Sequence, residues 1–330
     1  MTPELTRKKV EKKEEIIQHE TNLGLAAYIN PQEIFNQKAH DKAWQQLLTN
    51  WQNLDCLEIQ YENNYLKNWW LTLPAMLKNY KSKIIVHGPT QKRDIANVDD
   101  QLRSKSLEEN KRALDLTAKL GAEAMILHIT PQDDFNLRIS QLGRAISSFT
   151  ELSEYIDENN YPVSLMLENL EYPKWPADTK EAVDLLKYLK KIHPKLTSCV
   201  DLAHLWHNHA ALMPGINCSS QNFPEILIDY IVEIDSIAPI RRFHFAGAFV
   251  DKKNDIHQTH GAPELNGKFQ NTESFYIMPI VESLKIMDEF IKMQIKNGEP
   301  NADIILEMHL AHQEQEQILE TIKNYLKNQS

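Results

Sequence analysis

The sequence has few glycines and few cysteines, and each shortage excludes a class of site. Only nine of the 330 residues are glycine, and neither glycine-rich phosphate-binding pattern, GxGxxG or GxxxxGK[ST], occurs. The cysteines are Cys56, Cys199 and Cys218, and no two of them form a CxxC pair. An odd number without that spacing predicts reduced thiols and a cytoplasmic protein, not a disulfide framework.

Long apolar runs and a basic overall charge are also missing. No stretch approaches the roughly 20 apolar residues that cross a bilayer, so we expect no membrane partner. The formal net charge of −10 provides no general attraction to nucleic acid. The first twenty residues mix Lys and Glu at helical spacing and are too charged for a signal peptide. We expect a charged arm over residues 1–20, either solvated or used to bind a partner.

Eight short apolar runs recur along the chain, and stretches with helical spacing of apolar residues separate them. The runs are NLGLAAYIN at 22–30, CLEIQYE at 56–62, KIIVHGP at 83–89, AMILHI at 124–129, VSLMLEN at 163–169, LTSCVDLAH at 196–204, RRFHFAG at 241–247 and DIILEMH at 303–309. Near-continuous apolarity is expected of parallel strands that are buried on both faces. Eight strand–helix repeats predict an α/β fold, a (β/α)8 TIM barrel, with a doubly wound open sheet as the alternative. No linker rich in Gly, Ser or Pro is present, so we expect a single domain over residues 21–330.

Metal-binding side chains recur at the ends of these runs. Six of the eight runs carry such a residue where the strand should end, namely His87, His128, Glu168, Asp201, His244 and Glu307. In a closed parallel barrel these ends meet at one face, where active sites lie. A single histidine at a strand end is more often a hydrogen-bonded structural residue, so the repetition carries the prediction. Imidazole and carboxylate groups are ligands that zinc, manganese and iron favour, which predicts a divalent metal centre.

Two local spacings add three further candidate ligands. Asp201 and His204 lie three apart in DLAH, at a predicted strand-to-helix turn, so both can reach one cluster. Asp255 and His257 lie two apart in DIH, which places both side chains on one side of an extended segment. The candidate metal ligands therefore number nine.

Five residues are candidates for direct contact with a substrate. Glu168 and Glu307, on the fifth and eighth predicted strands, would face each other across the barrel mouth, where two carboxylates can bridge ions or transfer protons. Trp206 and His207 follow the DLAH turn and can line a pocket, and His260 lies near the predicted ligands. The alternative for these last three is an ordinary surface loop.

Taken together, these stretches resemble the xylose isomerase-like TIM-barrel superfamily, which includes endonuclease IV (AP endonuclease family 2) and many sugar isomerases and epimerases. The matching stretches are VHGP at 86–89, the helix at 103–128, LMLEN at 165–169, CVDLAH at 199–204, FHFAG at 243–247, DIH at 255–257 and LEMH at 306–309. The resemblance runs from about Asn22 to Leu326 and is specific as an ordered set.

The resemblance implies two alternative metal arrangements. In endonuclease IV-like members, nine side chains hold three ions: His87, His128 and Glu168 the first, Glu168 with Asp201, His244 and Glu307 the second, and His204, Asp255 and His257 the third. In the isomerases and epimerases, one divalent ion lies on residues matching Glu168, Asp201, His244 and Glu307. There the two glutamates move a proton on and off a carbon next to a carbonyl.

Because all nine ligand positions are filled, the first functional hypothesis is a metal-dependent hydrolase of a phosphodiester or phosphorylated sugar. The alternatives are a divalent-metal-dependent sugar or sugar-phosphate isomerase or epimerase, and a non-catalytic ligand-binding barrel. We expect one to three ions of zinc, manganese or iron, and a small sugar or phosphorylated substrate. DNA is a weaker candidate partner, because the chain has HIT in place of HPG after strand four, GPTQKR without an aromatic after strand three, and LEMH in place of LETP.

Overall fold

The computed structural model describes residues 21–27, 37–61, 69–90, 94–129, 141–172, 174–212, 222–251, 256–263, 275–308 and 310–328. The predicted arm over residues 1–20 lies outside these residues, and the single domain over 21–330 stays a prediction. Cys56 and Cys199 are both free thiols. Over the described part of the chain, no helix is long and apolar enough to cross a bilayer.

Eight parallel strands close into a barrel. These are β1 (Leu23–Ala27), β2 (Cys56–Gln60), β3 (Lys83–His87), β4 (Ala124–Leu127), β5 (Ser164–Glu168), β6 (Thr197–Asp201), β7 (Ile240–Phe245) and β11 (Asp303–Leu306). Three further described strands, β8 (Gly247–Asp251), β9 (Ile256–Gly261) and β10 (Phe275–Ile277), lie between β7 and β11 in the sequence. Around the barrel the order is β1-β11-β7-β6-β5-β4-β3-β2, and β1 pairs in parallel with both β11 and β2. The predicted (β/α)8 TIM barrel is confirmed, and the open sheet is wrong.

The remaining three strands form a small antiparallel sheet in the order β10-β8-β9. Its first strand, β8, begins two residues after β7 ends, so this sheet lies at the carboxyl end of the barrel strands. Apolar residues continue at helical spacing from Phe275 to Lys296, a pattern that predicts one helix. The structure differs, because Phe275–Ile277 pairs with β8 and the helix begins only at Ile280.

Helices surround the barrel. The described α-helices are α1 (Gln37–Asn50), α2 (Trp69–Leu77), α3 (Asp100–Lys119), α4 (Leu142–Glu158), α5 (Thr179–Ile192), α6 (Leu202–His207), α7 (Phe223–Asp235), α8 (Ile280–Lys296) and α9 (His312–Lys327). Asp99 and Asp178 begin α3 and α5 by accepting hydrogen bonds from backbone N–H groups of the first turn, which have no partner within the helix. The short helix α6 follows β6 directly, and a π-helical turn at Asn208–Leu212 follows α6.

The barrel interior holds a core of its own, separate from the larger core between strands and helices. Its apolar members are Ala26, Cys56, Ile85, Ala124, Ile126, Met166, Cys199 and Ile305. Neighbouring residues such as Leu25, Leu57 and Leu127 belong to the outer core, because successive side chains of a strand point to opposite faces. Half of the interior members are alanine or cysteine, and these small side chains leave room for longer ones.

Gly24 should not tolerate a side chain, because the backbone of the next strand lies too close. A Cβ at Gly24 would lie 2.3 Å from the Cys56 carbonyl oxygen, whereas one at Gly143 meets nothing within 4 Å. We expect Gly24→Ala to lower the free energy of unfolding by about 1–3 kcal/mol or more. Gly143→Ala, in the first turn of α4, should raise it by up to about 1 kcal/mol. Urea denaturation of both variants tests this, and equal stabilities would contradict it.

Candidate functional site

The carboxyl ends of the barrel strands bring the six predicted strand-end residues together around Glu168. Oxygen Oε2 of Glu168 accepts hydrogen bonds from His87 Nε2 at 3.1 Å and from His128 Nε2 at 2.8 Å. Its other oxygen, Oε1, lies 3.0 Å from His244 Nδ1. Glu168 is 1% exposed, so these contacts form in a largely dry environment. The Glu168 carboxylate is therefore shared between two groups of histidines.

A second convergence point lies at Nδ1 of His244. Besides Glu168, this nitrogen lies 2.9 Å from Glu307 Oε2 and 3.8 Å from Asp201 Oδ2. One ligand atom from each of these four residues lies within 4.8 Å of the other three, which is close enough for one ion to bind them all. Residues His87, His128 and Glu168 form a neighbouring group that meets the same limit.

The DLAH turn fixes Asp201 at the junction of β6 and α6. Oδ1 of Asp201 accepts the backbone N–H of His204 at 2.6 Å and so caps the helix. The Asn169 side chain accepts a hydrogen bond from the N–H of Asp201 and donates one to the Asp201 carbonyl oxygen. These two hydrogen bonds fix the backbone of Asp201. Among the described residues, nothing donates a hydrogen bond to the buried Oδ2 of Asp201. A buried carboxylate oxygen needs a positive charge nearby, which His260 Nε2 at 3.5 Å supplies when protonated and a bound cation would supply in its place.

His204 and His260 lie on the outer side of the carboxylate group. His260 Nε2 lies 3.5 Å from Asp201 Oδ2 and 3.7 Å from Glu307 Oε2, and the His204 and His260 rings meet edge to face at 5.4 Å. His260 has a φ of 59°, a left-handed conformation at the end of β9. The small sheet therefore places His260 at the barrel mouth.

Two predicted ligands cannot be placed. Asp255 lies outside the described residues. The backbone of His257 belongs to β9, but its side chain is outside the described part of the structure. Their predicted role in a third metal site stays a prediction.

Trp206 and His207 lie in α6, not on an open loop. Both are fully buried, and the Trp206 ring packs edge to face against Phe223 at 5.2 Å. His207 Nδ1 lies 2.9 Å from Glu171, and its Nε2 lies 3.3 Å from the Phe249 carbonyl oxygen. The structure therefore places these two predicted pocket residues in packing contacts around α6, because a helix begins directly after β6.

Three polar residues that touch the site were not identified from the sequence. Gln60 donates to Glu307 Oε1 at 2.7 Å, and Glu58 Oε2 lies 3.0 Å from His244 Nε2. Arg242, near the start of β7, is fully buried and donates to Glu58. Alternation along each strand was the signal, since Arg242 lies two residues before His244, and Glu58 lies two before Gln60.

The carboxylates and histidines shift each other's pKa. Burial by itself raises the pKa of Glu168 and of Glu307, but His244 beside them holds both pKa values below the ordinary range. Burial by itself lowers the pKa of His87 and of His260, but Glu168 raises the first and Glu307 the second, each to about 9. In the metal-free protein, protons on histidine thus balance the carboxylates at neutral pH.

The stability of the metal-free protein should fall between pH 6.5 and pH 9. In this window folded His87 and His260 keep protons that they lose in the unfolded chain, where their pKa is about 6.5. This stabilisation is complete below pH 6.5 and is lost as the pH rises through 9, with about 3 kcal/mol as an upper value for each histidine. Urea denaturation with a chelator present measures it. A stability that rises through this window would contradict the assignment.

Comparison with known proteins identifies the fold family. A family model described as xylose isomerase-like TIM barrel matches residues 48–328. No curated protein matches the sequence. Among solved structures, a D-tagatose 3-epimerase-like protein has a TM-score of 0.60 and 18% identity, covering 93% of this chain and 96% of that one.

Two further structures show the same likeness. D-allulose 3-epimerase from Methylomonas sp., in complex with D-allulose, has a TM-score of 0.59 and 12% identity, covering 94% of this chain and 97% of that one. The 3-keto-D-glucoside 4-epimerase YcjR from E. coli has a TM-score of 0.58 and 12% identity, covering 92% and 100%. At these identities the likeness concerns the fold.

Proposed function

The chain belongs to the xylose isomerase-like TIM barrel family, and from this premise we propose that it is a divalent-metal-dependent enzyme that isomerises or epimerises a small sugar. The observation that carries the proposal is the approach of two carboxylates to one point. Glu168, on β5, and Glu307, directly after β11, both lie within 3.0 Å of His244 Nδ1. The names of the epimerases with the same fold support this reaction class.

The residues at this point suit a divalent cation. Glu168, Asp201, His244 and Glu307 offer three carboxylates and one imidazole, which are ligands that zinc, manganese and iron accept. The buried Oδ2 of Asp201, which accepts no hydrogen bond from the described residues, supports a cation at this position. Bound there, the cation would polarise a sugar carbonyl and acidify the neighbouring C–H bond.

The two glutamates then transfer the proton. Both are carboxylates at neutral pH, since the pKa of each is below its ordinary range, so either accepts a proton from the carbon beside the carbonyl. They reach the site from strands that are three positions apart in the barrel. Removal of the proton by one glutamate and return by the other, on the opposite side of the carbon, inverts that carbon. Return of the proton to the former carbonyl carbon, with transfer of the neighbouring hydroxyl proton to the former carbonyl oxygen, gives the isomer instead.

The histidines at the outer side of the group bind the sugar hydroxyls. The side chains of His204 and His260 lie next to the carboxylates and are 10% and 11% exposed, so a substrate that enters through the mouth can reach their ring nitrogens. Trp206 and His207 support α6 from within the protein. We place the enzyme in the cytoplasm, because Cys56 and Cys199 are free thiols.

Hydrolysis of a phosphodiester or phosphorylated sugar, the first hypothesis from sequence, becomes the second candidate. The observation that favours it is the group of His87, His128 and Glu168 beside the main cluster, which offers a place for another ion. The fold likenesses favour the isomerase or epimerase, which is therefore placed first.

An assay with three substrate classes tests the proposal. The purified protein is loaded with manganese, zinc or iron and incubated with free ketoses, with sugar phosphates and with an abasic DNA duplex. We expect NMR of the sugars to show a second isomer or epimer, and deuterium from solvent at the exchanged carbon. Metal-dependent release of phosphate or nicking of the duplex, without sugar conversion, would establish the hydrolase instead.

A further inference from the structure

The two ring nitrogens of His244 face different partners. Nδ1 faces the carboxylates of Glu168, Asp201 and Glu307 at the barrel mouth. Nε2 faces the barrel interior, where Glu58 Oε2 lies 3.0 Å away. A carboxylate accepts hydrogen bonds and donates none when ionised, so Nε2 must carry the hydrogen of this contact. Nδ1 shares a proton with the carboxylates at the mouth, and a cation that displaced this proton would bind the Nδ1 lone pair.

The contact between Glu58 and His244 crosses the interior of the barrel. Glu58 lies on β2 and His244 on β7, and two strands, β1 and β11, separate them in the closed order. Both side chains are fully buried. Small interior residues, including Ala26 and Cys199, leave the space that this contact needs.

Glu58 is itself held in place by Arg242. Nη1 of Arg242 donates to Oε2 of Glu58 at 3.1 Å, and Nη2 donates to Asp303 Oδ2 at 2.9 Å. Lys83 lies 2.7 Å from the same Asp303 oxygen. A series of ion pairs therefore runs from Lys83 through Asp303 and Arg242 to Glu58. The carboxylate cannot turn away from His244 without leaving Arg242 buried and less completely paired.

We propose that Glu58 is a positioning residue of the metal centre, which holds the His244 ring so that Nδ1 faces Glu168, Asp201 and Glu307. The inference rests on the proposed function, since it assigns Glu58 a part in cation binding. A carboxylate on the distal nitrogen of a metal-binding histidine fixes the ring orientation and makes the other nitrogen a better ligand. In this chain the carboxylate comes from a strand on another side of the barrel.

A direct ligand role for Glu58 is the competing explanation. Glu58, His87 and His244 also lie close enough to hold an ion. However, Oε2 of Glu58 already accepts hydrogen bonds from both Arg242 and His244. An ion bound by Glu58 beside Arg242 would meet the charge of the guanidinium group, so the geometry favours the positioning role.

Two substitutions at residue 58 separate these explanations. In Glu58→Gln, the amide oxygen can still accept both hydrogen bonds, whereas Glu58→Leu removes the acceptor. We expect manganese or zinc affinity, measured by competition with a chelating dye, to fall by about 10–100-fold in Glu58→Leu. Glu58→Gln should stay within about threefold of the wild type, because neutral acceptors also orient such histidines. Equal losses in both variants would point to a ligand role and overturn the proposal.

A double variant separates a loss of cation affinity from a loss of folding stability. Glu58→Leu leaves Arg242 without this partner, so the single variant can lose affinity because it folds poorly. The double variant Glu58→Leu/Arg242→Met removes both members of the pair, while Lys83 still neutralises Asp303. We expect the double variant to recover stability in urea but not cation affinity. Recovery of wild-type affinity together with stability would show that Glu58 is only structural.

The hydrogen bond can be measured without any metal. In protein labelled with ¹⁵N-histidine, the proton on His244 Nε2 should resonate far downfield in the wild type and in Glu58→Gln, and move upfield in Glu58→Leu. An unchanged resonance in Glu58→Leu would overturn the inference about His244. If the wild type binds no divalent cation, the proposed function fails. If it binds one and Glu58→Leu binds it equally well, only the positioning role fails.

Discussion

Replacing Glu168 with Gln should lower the rate of sugar isomerisation or epimerisation by about a thousandfold or more. The amide cannot accept the substrate proton, and loss of a positioned general base alone costs about 10²–10⁴-fold. The substitution also removes a charge that His87, His128 and His244 share. Turnover is measured with saturating metal, so that loss of chemistry is separated from loss of the ion. Glu307→Gln should have an effect of the same order.

His128→Ala is the matched control for this prediction. His128 donates to the Glu168 oxygen that His87 also contacts, so one donor remains after the substitution. We expect the isomerase or epimerase rate to stay within about tenfold of the wild type. A hydrolase that needs an ion at His87, His128 and Glu168 would lose its activity in this variant. Loss of sugar conversion in His128→Ala would therefore count against the proposed division of roles.

Metal content gives an independent check on Glu168. Glu168 belongs both to the group with His87 and His128 and to the group with Asp201, His244 and Glu307. Glu168→Ala should therefore release more bound cation than His257→Ala, whose residue was predicted in the third site only. Elemental analysis of the purified variants measures this, and equal metal content would contradict the shared role of Glu168.

Replacing Arg242 with Met should lower the free energy of unfolding by roughly 3–5 kcal/mol, the usual cost of leaving a buried charge without its partner. Arg242 is fully buried and contacts the carboxylates of Glu58 and Asp303 from one guanidinium group. Methionine fills a similar volume but leaves Glu58 without its guanidinium partner, whereas Lys83 still contacts Asp303. Urea denaturation at neutral pH measures the loss.

The neighbouring Arg241 provides the control for Arg242. Its side chain points the other way, and Nη1 donates to the carbonyl oxygen of Pro300 near the surface. Arg241→Met should therefore cost about 1 kcal/mol or less. If the two arginine variants lose equal stability, the interior ion pairs contribute little to the fold.

The barrel and the convergence of its strand ends were accessible from the sequence. Buried parallel strands produce short apolar runs, and the ligand-type residues that end six of these runs must meet when the sheet closes. His87, Glu168 and Asp201, for example, were all identified in this way. Such inferences succeed because they depend only on local periodicity and on one topological fact, the closure of the barrel.

Contacts across the barrel were decided by the tertiary structure alone. The position of Arg242 near the start of a strand was visible in the sequence, but its place in the interior beside Glu58 and Asp303 was not. Likewise, α6 buries Trp206, and the small sheet carries His260 to the mouth. Local periodicity shows which residues share a face of a strand, but not which distant strand lies opposite them. Whether a buried charge lies beside an opposite charge therefore depends on how the strands close around the barrel axis. The sequence contains no local signal for the distance between side chains on strands that are far apart in the chain.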